Sequence, residues 1–130
     1  MIRDALPEDA EPIRLFLAAN GWAHRVQDAQ RFAQLLQQSQ RTAVCVDDGT
    51  VIGFARGITD ELSNGYLSMV VVASGHRRQG VGRGLVEHVT RGGADITWVL
   101  RAGRDGAAEF FAALGFEPSL VAMERCRRGS

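Results

Sequence analysis

The sequence predicts an α/β (α+β) fold, a single domain in which a mixed β-sheet carries helices on both faces in the order β-αα-βββ-α-β-α-ββ. Three observations predict it. Apolar residues recur at helical spacing before about residue 40 and at strand spacing from about 42 to 72. The run Met69 to Val72 is wholly apolar, as expected for a strand buried on both faces. That run passes through a short loop into Gly80-Val81-Gly82-Arg83-Gly84, which opens a helix.

Each element follows from local chemistry. Ile2 to Ala5 forms a short first strand, and Pro7-Glu8-Asp9 starts a helix with acids in its first turn. Ile13, Phe16 and Leu17 fall on one helical face, and Asn20-Gly21 stops the helix. Trp22 to Arg25 is a loop before a second helix that opens near Asp28 and carries Phe32, Leu35 and Leu36. Thr42 to Val46 and Val51 to Gly57 read as strands joined at Asp47-Asp48-Gly49, a hairpin signal. Thr59 to Gly65 is a polar turn, and Tyr66 to Val72 is the central strand. Val81, Leu85 and Val89 mark the next helix, which Gly92-Gly93 ends, and Ile96 to Leu100 is a strand. Asp105 caps a fourth helix with Phe110, Phe111 and Leu114, closed by Gly115. Phe116 to Cys126 makes two short strands around Pro118-Ser119, so the domain spans 1–126 and 127–130 is a basic tail.

Composition bounds the function. The 130 residues, 45% hydrophobic and 23% charged, suffice for one core without staples; surface scaling gives about 6,700 Å² exposed when folded. No apolar run reaches the ~18 residues of a membrane span, and the acidic opening segment is unlike a targeting peptide, so a cytoplasmic protein is expected. Cys45 and Cys126 have no metal or redox spacing and are expected as free thiols, and no metal site is assigned. All fifteen cations are arginine, which excludes a P-loop lysine, a Schiff base and a lysine base. Net charge is −3 over residues 1–76, +4 over 77–104 and −1 over 105–130. Positive charge concentrated in one short stretch points to a local anion site rather than a nucleic-acid-binding face.

That stretch contains the chemistry. Free N–H groups at a glycine-rich helix start converge on one place, and the helix dipole favours negative charge there. The spacing is neither GxGxxG nor a P-loop, which removes dinucleotide and nucleoside-triphosphate readings. Arg77-Arg78-Gln79-Gly80-Val81-Gly82 instead resembles the R/Q-x-x-G-x-G/A signature of the GNAT superfamily of acyl-CoA-dependent N-acetyltransferases. Ile2 to Asp9 looks like that family's first strand and helix start, and Phe110 to Phe116 resembles its late FYxxxGF element. Together the three cover nearly the whole chain.

The resemblance implies acetyl-CoA as co-substrate, its pyrophosphate on the loop Arg77, Arg78, Gln79, Gly80, Val81, Gly82, Arg83. Its pantetheine arm would lie along Val70, Val71 and Val72. It implies acetyl transfer to a primary amine by direct attack in a ternary complex; the alternative is a non-catalytic acyl-CoA-binding module that senses cofactor. Two positions depart from the family. Phe111 stands where a tyrosine usually protonates the thiolate, and Arg104 where an asparagine usually contacts the cofactor arm. The chain's single tyrosine, Tyr66, is then the phenol available as acid, with Ser68 beside it and side chains 66, 68 and 70 expected on one face. Asp60 and Glu61 are the nearest candidate bases. Trp22, His24 and Arg25 occupy the interhelical loop that walls the acceptor site in relatives. A small-molecule amine is the expected acceptor, cationic because the N-terminal part is acidic, with a peptide or protein amine also open. Neither nucleic acid nor membrane is expected as a partner, and the chain is expected as monomer or homodimer.

Overall fold

Alternating apolar residues between 41 and 72 build three antiparallel strands, β2 (Arg41–Asp47), β3 (Thr50–Thr59) and β4 (Asn64–Val72), in the computed structural model, which describes residues 1–128. The β2–β3 turn places Asp48 and Gly49 at φ 50° and 76°, the left-handed pair that a tight hairpin requires. β1 (Ile2–Arg3) adds antiparallel to β2, and β5 (Thr97–Leu100) adds parallel to β4. The result is a five-stranded mixed sheet in the order β1-β2-β3-β4-β5.

Helices cover both faces. α1 (Ala10–Leu17) and α2 (Ala29–Gln38) bury Ile13, Phe16, Leu17, Phe32 and Leu36 against Phe54, Met69 and Val71. The Asp28 carboxylate caps α2 by accepting from the Arg31 N–H at 3.0 Å. α3 (Val81–Thr90) and α4 (Ala107–Ala112) bury Leu85, Val86, Val89 and Phe111 on the opposite face, against Ala43, Ala55 and Leu67.

Three expectations are corrected. The two strands foreseen between Phe116 and Cys126 do not form; Leu120 and Met123 are 98% and 96% exposed. No helix covers the outer edge of the four-residue β5 to bury these side chains, and the segment is tethered by Arg101 Nε donating to Glu124 at 2.8 Å. Accessible surface is accordingly 8698 Å², well above the scaling value. The α4 cap position is Gly106 at φ 80°, and the Asp105 side chain makes no capping bond. Residues 129–130 of the foreseen tail lie outside the described residues.

The third correction concerns β4. Arg56 pairs with Ser68 and Phe54 with Val71, so a bulge opposes Ala55 with two residues, and Met69 sits there at φ 55°. Tyr66 and Ser68 therefore face the α1/α2 side, whereas Val70 and Val72 face α3 and α4. Residues 66, 68 and 70 do not share a face.

Glycines let Trp98 lie flat across the sheet: a Cβ on Gly65 would stand 2.4 Å from its ring, and one on Gly57 3.1 Å. Gly65→Ala is expected to cost about 1–3 kcal/mol in urea unfolding, the range for an overpacked core. Adding Trp98→Leu should return most of it; an unchanged midpoint in the single variant would remove this role from Gly65.

Candidate active site

β4 and β5 stay paired only from Asn64↔Thr97 to Leu67↔Leu100. Beyond that point no strand among the described residues pairs with the β5-facing edge of β4, and the two chains part. Such an unpaired edge offers N–H and C=O groups to an extended ligand. Two cavities open there, one on each face of the sheet.

The first, of about 560 Å³, lies on the α3/α4 side. Val70, Val71 and Val72 form one wall, Arg77, Arg78, Gly80, Gly82 and Arg83 the end, and Arg104 to Ala107 with Phe110 and Phe111 the other wall. Gly80 occupies the α3 cap position at φ 81°, with open space where a Cβ would stand. Any L side chain would be strained there. Arg78, without glycine's freedom, also takes a left-handed backbone, at φ 66°. Arg77 Nε donates to the Val72 carbonyl at 3.3 Å, tying the loop to the strand. Gln79 and Val81 do not line the cavity: Gln79 is exposed and Val81 packs toward the core. Gly82 is a packing glycine, since its Cβ would meet the Phe110 ring at 2.9 Å.

The second cavity, of about 830 Å³, lies on the α1/α2 side. Tyr66, Ser68 and Arg56 form its floor; Trp22, His24, Arg25, Gln27, Asp28, Arg31 and Leu35 wall one side. Arg101, Gly103 and Arg127 close another. Val70, Arg104, Ala107 and Phe111 line both cavities, so the two meet at the parting of β4 and β5.

Arg104 holds this junction. Its guanidinium donates to the Asn20 and Gly21 carbonyls at 3.3 and 3.1 Å and lies over the Trp22 ring at 4.7 Å. Gly21 has φ 98°, and a Cβ there would meet Arg104 Nη1 at 3.0 Å. Phe111 is buried at the junction, in edge contact with Phe110 and Phe116 at 4.9 and 5.7 Å.

The structure takes both candidate bases out of the site. Asp60 folds back on its own turn, accepting from the Ser63 hydroxyl and from the N–H groups of Leu62, Ser63 and Asn64. Those bonds, the Ser63 hydroxyl first, hold its carboxyl far below the ordinary range. Glu61 is bound by Arg41 at 2.7 Å, which also lowers its pKa. Neither lines either of these two cavities. His76 lies 3.6 Å from Asp47 and His88 2.6 Å from Asp4, both away from the junction. Among the described residues no group of three or more His, Cys, Asp or Glu side chains comes together as a metal site, and Cys45 and Cys126 are free thiols. Likewise, no helix is long and apolar enough to cross a membrane.

Sequence reasoning passed over Arg56, Arg31, Arg101 and Asp28, all of which line the second cavity. Arg56 carried a signal: it is the one charge in the strand Thr50–Thr59. The other three are brought in from separate loops and a helix by the fold.

Two cavities thus meet where β4 and β5 part, and one of them ends at a glycine-rich helix start. The profile of the acetyltransferase (GNAT) domain matches residues 38–118, and the chain belongs to that acetyltransferase family. No curated protein matches the sequence. Among solved structures, a GNAT-family protein from Xanthomonas campestris pv. campestris superposes with TM-score 0.79 at 24% identity, covering 99% of this chain and 95% of its own. AAC(6')-Iy in complex with the bisubstrate analogue CoA-S-monomethyl-acetylneamine gives TM-score 0.75 at 20% identity, covering 98% and 97%. An aminoglycoside acetyltransferase from an uncultured soil metagenomic sample gives 0.71 at 17%, covering 98% and 97%. At these identities the likeness is one of fold.

Asp60→Asn is expected to leave acetyltransferase kcat and its pH profile unchanged. Because folding lowers the Asp60 pKa, its stabilisation is complete above the unfolded value of about 3.9 and is lost as pH falls through the folded one. The Tm difference between wild type and variant should therefore be constant from about pH 5 to 8 and narrow below about pH 4; a fall in kcat with loss of its acidic limb would restore Asp60 as a base.

Proposed function

We propose that the protein moves an acetyl group from acetyl-CoA to a primary amine, by direct attack across the β4/β5 parting. The observation that carries this reading is the meeting of the two cavities at Val70, Arg104, Ala107 and Phe111. A donor and an acceptor bound on opposite faces could touch only there.

The residues of the smaller cavity fit coenzyme A by their chemistry. Gly80 leaves a Cβ-free approach to the α3 N-terminus, where N–H groups and the helix dipole favour phosphate. Arg77, Arg78 and Arg83 supply guanidinium forks beside it. The open β4 edge from Ser68 to Val72 suits an extended amide-bearing arm. The thioester supplies the activated acyl carbon: the C–N bond forms as C–S breaks, the sulfur leaves as thiolate, and the amine nitrogen gives up a proton to solvent water in the acceptor cavity.

This chain's residues then orient and handle protons. A backbone N–H of β4 near Val70 polarises the carbonyl where negative charge develops. Arg104 and Phe111 wall the junction and exclude water. Phe111 cannot donate a proton, so Tyr66, whose hydroxyl makes no hydrogen bond among the described residues, is assigned to protonate the sulfur. Ser68, in the neighbouring position on the same face, hydrogen-bonds the amine. Trp22, His24 and Arg25 hold the acceptor.

Calorimetric titration with acetyl-CoA followed by thiol release against amines tests this reading. Binding with amine-dependent thiol release is expected; binding without release from any amine would favour the sensing module, and no binding would overturn the cofactor assignment. Tyr66→Phe should lower kcat about 10²-fold at unchanged acetyl-CoA affinity. Gly80→Val should weaken acetyl-CoA binding about tenfold or more, each 1.4 kcal/mol being a factor of ten.

A further inference from the structure

The charge lining the larger cavity is nearly all of one sign. Six arginines line it, Arg25, Arg31, Arg56, Arg101, Arg104 and Arg127, against one carboxylate, Asp28. Asp28 is already engaged as the α2 cap. Arg101 is matched by Glu124, and Arg104 is committed to the Trp22 loop.

Arg56 and Arg31 are different. Arg56 projects from the middle of β3 onto the cavity floor, and its one hydrogen bond among the described residues is from Nη1 to the Ser39 hydroxyl at 3.3 Å. Its Nε is buried with no partner. A desolvated guanidinium without a carboxylate is costly, and folding alone gives no reason to hold it there. Burial lowers its pKa, yet an arginine stays charged. Arg31 stands in the first turn of α2, the helix end that disfavours cations, with no ion pair among the described residues. Two local rules are thus broken at the edge of one cavity, and one missing anion would satisfy both.

We infer that the acceptor is a small-molecule amine carrying a second, anionic group, a carboxylate or a phosphate, which Arg56 and Arg31 bind in the larger cavity while its amine points to the β4/β5 parting. The inference rests on the proposed acetyl transfer and names its substrate class. It reverses the cationic acceptor expected from the acidic N-terminal part, because the fold gathers arginines, not acids, at this cavity. An anion also fixes the amine: the fork of Arg56 is anchored in a strand, so a bidentate contact sets the orientation of the whole acceptor.

The test is thiol release from acetyl-CoA with matched amines: amino acids against their amides, phosphoethanolamine against ethanolamine, and spermidine and an aminoglycoside as polycations. The anionic members should exceed their neutral partners in kcat/KM by about 10²-fold, as for a charged hydrogen bond of about 2–3 kcal/mol. The amino-acid and phosphoethanolamine arms distinguish carboxylate from phosphate. Arg56→Gln should raise KM for the preferred anionic amine by a similar factor with kcat changed far less and acetyl-CoA affinity unchanged. Arg31→Gln, an exposed change that leaves the sheet alone, should do the same more weakly. Preference for spermidine or the aminoglycoside, or unchanged KM in both variants, would overturn the inference. If acetyl-CoA binds but no amine releases thiol, the transfer reading fails by itself. Calorimetry of the same anionic amines on the CoA-loaded protein then decides this one: binding weakened by Arg56→Gln upholds the anion site, and no binding overturns it.

Discussion

Both cavities exist because β4 loses its neighbour halfway along. Backbone N–H and C=O groups must be paired or solvated, and a sheet interior ordinarily satisfies them strand against strand. Here the parallel ladder stops at Leu67↔Leu100, where the edge strand β5 ends, and the rest of β4 is left with an open edge on that side. The Met69 bulge accompanies that parting: an extra residue bends the strand and increases its twist, and it turns Val70 and Val72 to the face opposite Tyr66 and Ser68. One irregularity thereby gives β4 two chemistries, a polar floor before the bulge and an apolar wall with an open edge after it.

The glycines around the helix start divide the remaining work. Gly80 has open space and a left-handed backbone, so its requirement is conformational and its missing Cβ leaves room for a ligand. Gly82 and Gly84 are filled by neighbours, the Phe110 ring at 2.9 Å and Ile2 Cδ1 at 2.5 Å from where their Cβ atoms would stand. They let α3 approach α4 and β1, which fixes the helix axis and so aims its N-terminus. Three glycines in five residues look equivalent in sequence, yet one shapes the site and two position the element that carries it.

This explains how much the sequence could tell. Element order through α4, both core faces and the glycine loop were legible because they rest on periodicity and local turn chemistry: Ile13, Phe16 and Leu17 mark one helix face whatever surrounds them. The bulge was not legible, since Ser68-Met69-Val70 has no glycine or other local sign of a register shift, and the face of Val70 was misplaced with it. Asp60 and Glu61 looked like bases because they are close in sequence to the central strand; their turn consumes one carboxylate and Arg41 the other. The strands expected after Phe116 rested on composition alone, and no element supplies the face they would need to bury Leu120, Val121 and Met123. The wall of Trp22, His24 and Arg25 was expected, but the arginine cluster was not read as one site, because its members come from the loop before α2, α2, β3 and the chain after β5, and only the fold brings their charges together.

The two departures from the family pattern belong to this same arrangement. Arg104 binds two carbonyls and a ring of the loop that follows α1, contacts each worth about a kcal/mol when exposed. Their greater effect is geometric, for Arg104 is on the chain between β5 and α4 and the loop it grips carries Trp22 and borders His24 and Arg25. It locks the roof of one cavity to the wall of the other. Phe111 then fills the junction with a ring packed edge-on between Phe110 and Phe116, apolar where relatives place a hydroxyl. In the proposed reaction this moves proton delivery to the β4 floor, beside the arginines, and leaves the junction itself an aperture with Val70 and Phe111 in its walls. An aperture of that kind selects by position rather than by proton chemistry, and the part of an acceptor it can position best is the part that Arg56 holds still.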